Sequence, residues 1–144
     1  MKADEIITVK HKYDLENIET IARCFKKSAI DGYNSFEFLN NFVDSEYGRK
    51  ILLHNGIKDY YFWGYMYEGL LEEFKLTKGN ALDEYVMYSY GYLLKYWLDI
   101  HKVEPRLIVK ILPLERFNAK FGFYHTQGDE YIIENETERY YRNN

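Results

Sequence analysis

The residues that most often carry out catalysis or bind metal ions are few and widely separated in this sequence. The four histidines, His11, His54, His101 and His125, include no pair at the i, i+4 spacing that brings two metal ligands to one helix face. The single cysteine, Cys24, excludes an internal disulfide and a multi-cysteine metal site. Cys24 lies on a predicted helix. We expect it to be a small buried or half-buried residue rather than a nucleophile, because free cysteine mostly behaves as a small hydrophobic residue. The sequence therefore predicts no metal, no cofactor and no catalytic residue, and we expect a protein that is not an enzyme.

Tyrosine is unusually frequent, with 16 of the 144 residues, and four tyrosines form a regular row. Tyr85, Tyr88, Tyr92 and Tyr96 follow one another at helical spacing, so they share one face of a helix. The commonest role of such a row is the edge of a core, with the hydroxyl groups reaching water. A row of tyrosines can also contact a partner protein, because tyrosine contributes a large contact area at low entropic cost, or stack on a base. Of these two functional roles, the sequence favours the partner protein.

A basic segment is followed by an acidic one near the end of the sequence. Between His101 and Lys120 the lysines and arginines outnumber the acids, and after Gly128 the acids outnumber the arginines. Solvated helix faces are the commonest origin of such patterns. The two segments can also dock on each other, or the acidic helix can bind a basic surface on a partner. The acidic residues that we assign to a partner surface are Glu130, Glu134 and Glu138.

A second hypothesis is a small-molecule or nucleotide-binding protein that sequesters its ligand. Tyrosine rings would stack on a base, and arginine or lysine side chains would hold the phosphate. The residues predicted for this alternative site are Tyr61, Tyr65, Arg106, Lys110, Arg116 and His125.

The bulk composition is that of one globular domain. A chain of 144 residues with 47% apolar and 29% charged residues can bury one core, so we expect a single helical domain over residues 1–144. The net charge of −4 argues against nonspecific binding to nucleic acid, which depends on lysine and arginine at the phosphates. The first residues lack the apolar core of a signal peptide, and no apolar run approaches the roughly 20 residues of a membrane span. We therefore expect a cytoplasmic protein that does not enter a membrane.

The apolar residues recur at helical spacing along most of the sequence. This periodicity predicts an all-α fold, a compact orthogonal bundle of about six to seven helices, with a possible short β segment at 5–10 and a weaker β alternative at 131–133. We predict Ser35 as an N-cap, a capping box at Thr126 and Asp129, and close helix packing at Gly64 and Gly69. The predicted helices start at Asp14 and cover 35–53 with a break near 44–45, 57–74 after a C-cap at 54–56, 81–101, 105–112, 113–121 and 129–141.

Several short segments occur together between residues 36 and 138, among them Phe38-Leu39, Gly91-Tyr92-Leu93-Leu94, Tyr96-Trp97, Leu112-Pro113-Leu114 and Tyr124-His125. In this combination the chain resembles a family of small helical bacterial proteins from toxin–antitoxin or mobile-element gene neighbourhoods. The resemblance implies a helical fold without enzymatic motifs, and it supplies no catalytic residue.

These observations lead to one principal hypothesis. We expect a non-enzymatic interaction module, antitoxin-like or inhibitor-like, that neutralises a protein partner through an aromatic and acidic surface. The partner would be a toxin or a defence effector encoded nearby. The nucleotide-sequestering alternative, of phage or mobile-element origin, stays open at this point.

Overall fold

The computed structural model describes the backbone of residues 3–53 and 63–144, and the side chains of residues 15–53 and 63–144. Over these ranges the fold contains nine α-helices and no β-strand, which confirms the all-α prediction. More helices form than predicted, because 35–53 breaks at Ser45 and the segment after Pro113 forms two short helices. The helices are α1 (Ala3–Ile30), α2 (Ser35–Asp44), α3 (Glu46–Leu53), α4 (Trp63–Glu73), α5 (Glu84–His101), α6 (Pro105–Ile111), α7 (Leu114–Ala119), α8 (Phe121–Tyr124) and α9 (Asp129–Arg142).

The possible β segment at 5–10 is wrong, since these residues belong to α1, which begins at Ala3 and not at Asp14. Residues 131–133 are also helical, within α9. β-branched residues favour strands only where a neighbouring strand is present. The described part of the chain contains no strand with which these segments could pair. A lone strand would leave its backbone groups unpaired, whereas a helix pairs them internally.

The centre of the fold is the packing of α1 against α5, the most extensive helix pair. It depends on Gly91, because a Cβ atom there would lie 2.7 Å from the ring of Phe25. The predicted close approach at Gly69 is confirmed, since a Cβ would lie 2.6 Å from the Tyr47 hydroxyl oxygen. At Gly64 the prediction fails among the described residues, because none of their atoms in a neighbouring element lies within 4 Å of a Cβ built there.

Side chains at the helix ends define where α2 and α3 begin. Asn34, and not Ser35, is the N-cap of α2, and its side chain accepts two backbone N–H bonds. Ser35 instead accepts a hydrogen bond from the backbone N–H of Leu82 at 2.9 Å, which attaches the loop before α5 to α2. The break at 44–45 is confirmed, and Ser45 Oγ accepts a bond from the Gly48 N–H at 2.9 Å.

The helices that shape the candidate surfaces begin close to their predicted positions. α5 begins at Glu84 after its N-cap Asp83, three residues later than predicted. α9 begins at Asp129 as predicted, but its N-cap is Gly128, which has no side chain. The capping box is therefore wrong, and the Thr126 hydroxyl instead donates to the carbonyl of Phe123 at 2.8 Å. The predicted C-cap at 54–56 and the start of the helix predicted for 57–74 lie outside the described residues.

Candidate partner-binding surface

A buried carboxylate, Glu136, fixes α9 to the rest of the bundle. It accepts hydrogen bonds from Arg116 at 2.7 Å, the Tyr124 hydroxyl at 2.9 Å and Arg139 at 3.0 Å. Burial alone would raise the pKa of Glu136, but these three donors outweigh it and hold the pKa below its usual range. Because the donors come from α7, α8 and α9, this network determines how α9 lies on the bundle.

A cavity of about 560 Å³ lies beside α9, and we call it the acidic groove. Its floor is apolar and includes Trp97 of α5, Leu107 of α6 and Ile133 of α9. Its volume lies in the range of roughly 300–1,000 Å³ that is typical of ligand-binding clefts. The full lining consists of Trp97, His101, Val103, Leu107, Ile111, Glu130, Ile133, Glu134, Thr137, Glu138 and Tyr141.

Three glutamates line the acidic groove along one side of α9. Glu130, Glu134 and Glu138 recur every four residues, so they share one helix face. Glu138 pairs with Arg142 at 3.5 Å, but both side chains are about two-thirds exposed, and such a pair contributes little. Glu134 forms no ion pair with any described residue. This side of the groove therefore carries net negative charge.

Glu130 connects the acidic groove to the row of tyrosines. It accepts a hydrogen bond from the Tyr96 hydroxyl at 2.8 Å and lies 2.9 Å from Nε2 of His101. Burial would raise the pKa of Glu130, but His101 and Tyr96 outweigh it, so the pKa lies below its usual range. Burial, together with Glu130, raises the pKa of Tyr96 to about 12. At physiological pH, Tyr96 is therefore a neutral donor and Glu130 an ionised acceptor.

The four tyrosines of the row do not share one environment. Tyr85 is 61% exposed, and the ammonium of Lys26 lies 5.3 Å from its ring centre. Tyr88 and Tyr92 are half-buried, with their ring centres 6.4 Å apart. The hydroxyl of Tyr96 donates its hydrogen bond to Glu130 of α9. The row is thus partly a core edge and partly a surface, and it has no single role.

Tyr88 and Tyr92 line a second, smaller cavity of about 170 Å³, which we call the aromatic pocket. The pocket lies between α5 and the segment from α7 to α9. Its lining consists of Tyr88, Ser89, Tyr92, Leu93, Phe117, Tyr124, His125, Gln127, Asp129 and Ile132.

The cations predicted for the alternative phosphate site do not line the aromatic pocket. Arg106 binds Asp44 with its guanidinium, Nε lying 3.0 Å from the carboxylate. Arg116 is held by Glu136, and Lys110 is exposed on α6. The two arginines therefore have carboxylate partners already, and neither lines the acidic groove or the aromatic pocket.

The remaining residues of the alternative site are separated in the same way. Tyr65 is 76% exposed on α4, and Tyr61 lies outside the described residues. His125 does line the aromatic pocket, and its ring stacks on Phe121 with centres 5.3 Å apart. Of the six predicted residues, His125 is the one that the structure places beside the half-buried tyrosines.

Cys24 is fully buried, and burial raises the pKa of its thiol far above the usual value, as expected for a structural cysteine. Among the described residues, no group of three histidine, cysteine or acidic side chains is arranged to bind a metal ion.

The described helices include none that combines the length and the apolar character needed to cross a membrane.

Sequence reasoning missed several residues of these two cavities. The sequence predicted no binding role for Trp97 and Leu107, and His101 has no second histidine at ligand spacing. Asp129 was assigned to a capping box and to the acidic segment, but not to a binding site. The signal that was available for Asp129 is its position at the predicted start of a helix, next to a turn that carries a histidine.

A scan against protein-family models and searches of curated proteins and of solved structures found no match. The resemblance to the toxin–antitoxin neighbourhood family stays a prediction. The functional argument therefore depends on the acidic groove and the aromatic pocket.

Proposed function

We propose that this protein is a non-enzymatic interaction module, antitoxin-like or inhibitor-like, that neutralises a protein partner through the acidic groove. The observation that carries the proposal is an apolar groove of about 560 Å³ with three glutamates along one helix face. An apolar floor gives affinity through burial, and a charged edge gives orientation and speeds association. The partner is a toxin or defence effector encoded nearby.

The chemistry of the groove favours a basic amphipathic helix as the bound segment. Glu130 and Glu138 are eight residues apart, which corresponds to about 12 Å along the axis of α9. Lysine or arginine side chains at helical spacing on a partner helix can pair with glutamates separated in this way. The apolar face of the same helix would cover Leu107 and the exposed part of Tyr141.

The tyrosine row extends the surface beyond the groove. Tyr96 adjoins the groove through its bond to Glu130, and Tyr85 is the most exposed tyrosine of the row. Partly exposed tyrosines of this kind often dominate the binding energy of protein interfaces.

A defined peptide tests the groove without knowledge of the natural partner. The probe is a fluorescein-labelled peptide of about 18 residues, long enough to form a helix, with one leucine face and one lysine face. Fluorescence anisotropy should show saturable binding that weakens with salt. A Glu134→Gln and Glu138→Gln double variant should weaken it roughly tenfold at low ionic strength. The matched control is Glu72→Gln with Glu73→Gln, two exposed acids of α4 outside the groove.

Two outcomes would contradict the groove as the binding surface. One is an equal loss of affinity in the α4 control, which would indicate attraction to the net charge alone. The other is equal affinity for a scrambled peptide of the same composition, which has no apolar face.

The natural partner needs a separate experiment, in which the product of an adjacent gene is co-expressed and the complex is followed by size-exclusion chromatography. An elution profile unchanged by the Glu134 and Glu138 replacements would rule out this surface.

A further inference from the structure

The lining of the aromatic pocket contains one carboxylate, that of Asp129. Asp129 is half-buried in the pocket lining, and no described side chain or backbone group donates a hydrogen bond to its carboxylate. Burial, together with the charge of neighbouring Glu130, raises the pKa of Asp129. A carboxylate that loses water without gaining a donor costs folding free energy, and such groups are frequent at binding sites.

The charged groups that act on the two tyrosines of the aromatic pocket are mainly acidic. Burial raises the pKa of Tyr92, and the charges of Asp129 and Glu19 raise it further. Burial and Glu19 also raise the pKa of Tyr88, while Arg23 opposes them. Arg23 is itself exposed and lies 3.9 Å from Glu19. An anionic ligand such as a phosphate would therefore be repelled from this pocket, whereas a cation would be attracted.

The volume of the pocket limits the size of the ligand. The cavity of about 170 Å³ is smaller than the roughly 300–1,000 Å³ that is typical of ligand-binding clefts. A small alkylammonium or guanidinium head suits a cavity of this size better than a nucleotide does. Tyrosine rings attract cations through their negatively polarised faces, within about 6 Å of the ring centre.

We propose that the aromatic pocket binds a small organic cation, an alkylammonium or guanidinium group, with Asp129 as its counter-ion and the rings of Tyr88 and Tyr92 as its aromatic walls. The cation can be a free amine or the end of a lysine or arginine side chain on a partner. The inference does not depend on the acidic groove, because it uses a different cavity and different residues.

A titration followed by two-dimensional ¹H–¹⁵N NMR tests this proposal with n-butylammonium, n-butylguanidinium and tetramethylammonium as probes. Amide signals of residues 88–93 and 125–132 should shift together and saturate at millimolar concentrations. Replacement Asp129→Asn should weaken binding about tenfold, because a charge-assisted contact becomes a neutral one. The Glu134→Gln variant is the matched control, since its carboxylate lies in the acidic groove. The dispersion of the variant spectra verifies that each protein is folded.

The aromatic walls have a separate test. Tyr92→Phe retains a ring face and should bind the cations nearly as well, whereas Tyr92→Leu should weaken them several-fold. 1-Butanol, a neutral analogue of butylammonium, should not shift the same signals. Equal shifts with 1-butanol, or an equal loss in Asp129→Asn and Glu134→Gln, would overturn the proposal.

The ranking of the probes distinguishes the two sources of the cation. Tighter binding of tetramethylammonium supports a free quaternary amine, because that ion makes only ring and charge contacts. Tighter binding of n-butylammonium or n-butylguanidinium supports a lysine or arginine side chain, because these ions also donate hydrogen bonds to Asp129. If none of the three probes binds saturably, the proposal is overturned. That result would leave the peptide assay of the acidic groove unaffected.

Discussion

Two carboxylates on α9, Asp129 and Glu136, lie two helical turns apart and face the same bundle, yet their surroundings differ. Glu136 is buried and receives three hydrogen-bond donors, which hold its pKa low. Asp129 is half-buried, receives no donor from the described residues, and has a raised pKa. The difference shows that burial alone does not determine what a carboxylate does. Donors make Glu136 structural, and their absence leaves Asp129 available to a ligand.

The largest expected effect follows from neutralising the structural member of this pair. Glu136→Gln should reduce the free energy of unfolding by roughly 3 kcal/mol, because it removes a charged partner from two arginines and leaves donors poorly matched. Urea denaturation followed by circular dichroism measures the change. The control is Glu134→Gln, an exposed position, where we expect a change within about 0.5 kcal/mol. Equal stability of the two variants would show that Glu136 stabilises the fold no more than a surface acid does.

A smaller effect on stability should follow from removing one tyrosine hydroxyl near Glu136 and one near Asp129. Tyr124→Phe deletes the buried donor to Glu136, and we expect a loss of about 1–1.5 kcal/mol. Tyr92→Phe removes a hydroxyl that serves no such carboxylate, and we expect a change within about 0.5 kcal/mol. The same denaturation experiment measures both. A Tyr92→Phe loss as large as that of Tyr124→Phe would show that the aromatic pocket also has a structural hydrogen-bond network.

The smallest expected effect is a difference in the pH dependence of stability, with opposite signs for the two carboxylates. The pKa of Glu136 is lower in the folded protein, so its stabilisation is present above the unfolded value of about 4.3 and is lost as pH falls through the folded pKa. The pKa of Asp129 is higher in the folded protein, so its unfavourable contribution is relieved as pH falls towards about 3.9.

Thermal unfolding of the wild type and both neutral variants between pH 7 and pH 3 separates these contributions. The advantage of the wild type over Glu136→Gln should shrink in acid. Relative to Asp129→Asn, the wild type should improve in acid. The other ionisable groups near this carboxylate with shifted pKa values are Tyr88 and Tyr92 of α5 and Glu130 of α9. Parallel curves for the two variants would contradict the opposite pKa shifts.

The sequence predicted the helical class and most helix positions, because apolar periodicity acts locally. The break near Ser45 and the start of α9 are confirmed, whereas the capping residues predicted for α2 and α9 are wrong. Two of the predictions that failed share one cause. The β segment at 5–10 and the close packing at Gly64 were assigned from local preference, whereas the outcome depended on which elements lie nearby.

By itself, the sequence determined that this chain is helical, acidic at its end and rich in tyrosine. The acidic residues predicted for a partner line one cavity and two of the predicted tyrosines line another, and their role in binding stays a prediction. Only the tertiary structure decided that Tyr96 bonds to Glu130 while Tyr88 and Tyr92 enclose a pocket. It alone distinguished Glu136 from Asp129, because a carboxylate's pKa and role depend on donors and burial supplied by α5, α7 and α8, which are distant in sequence.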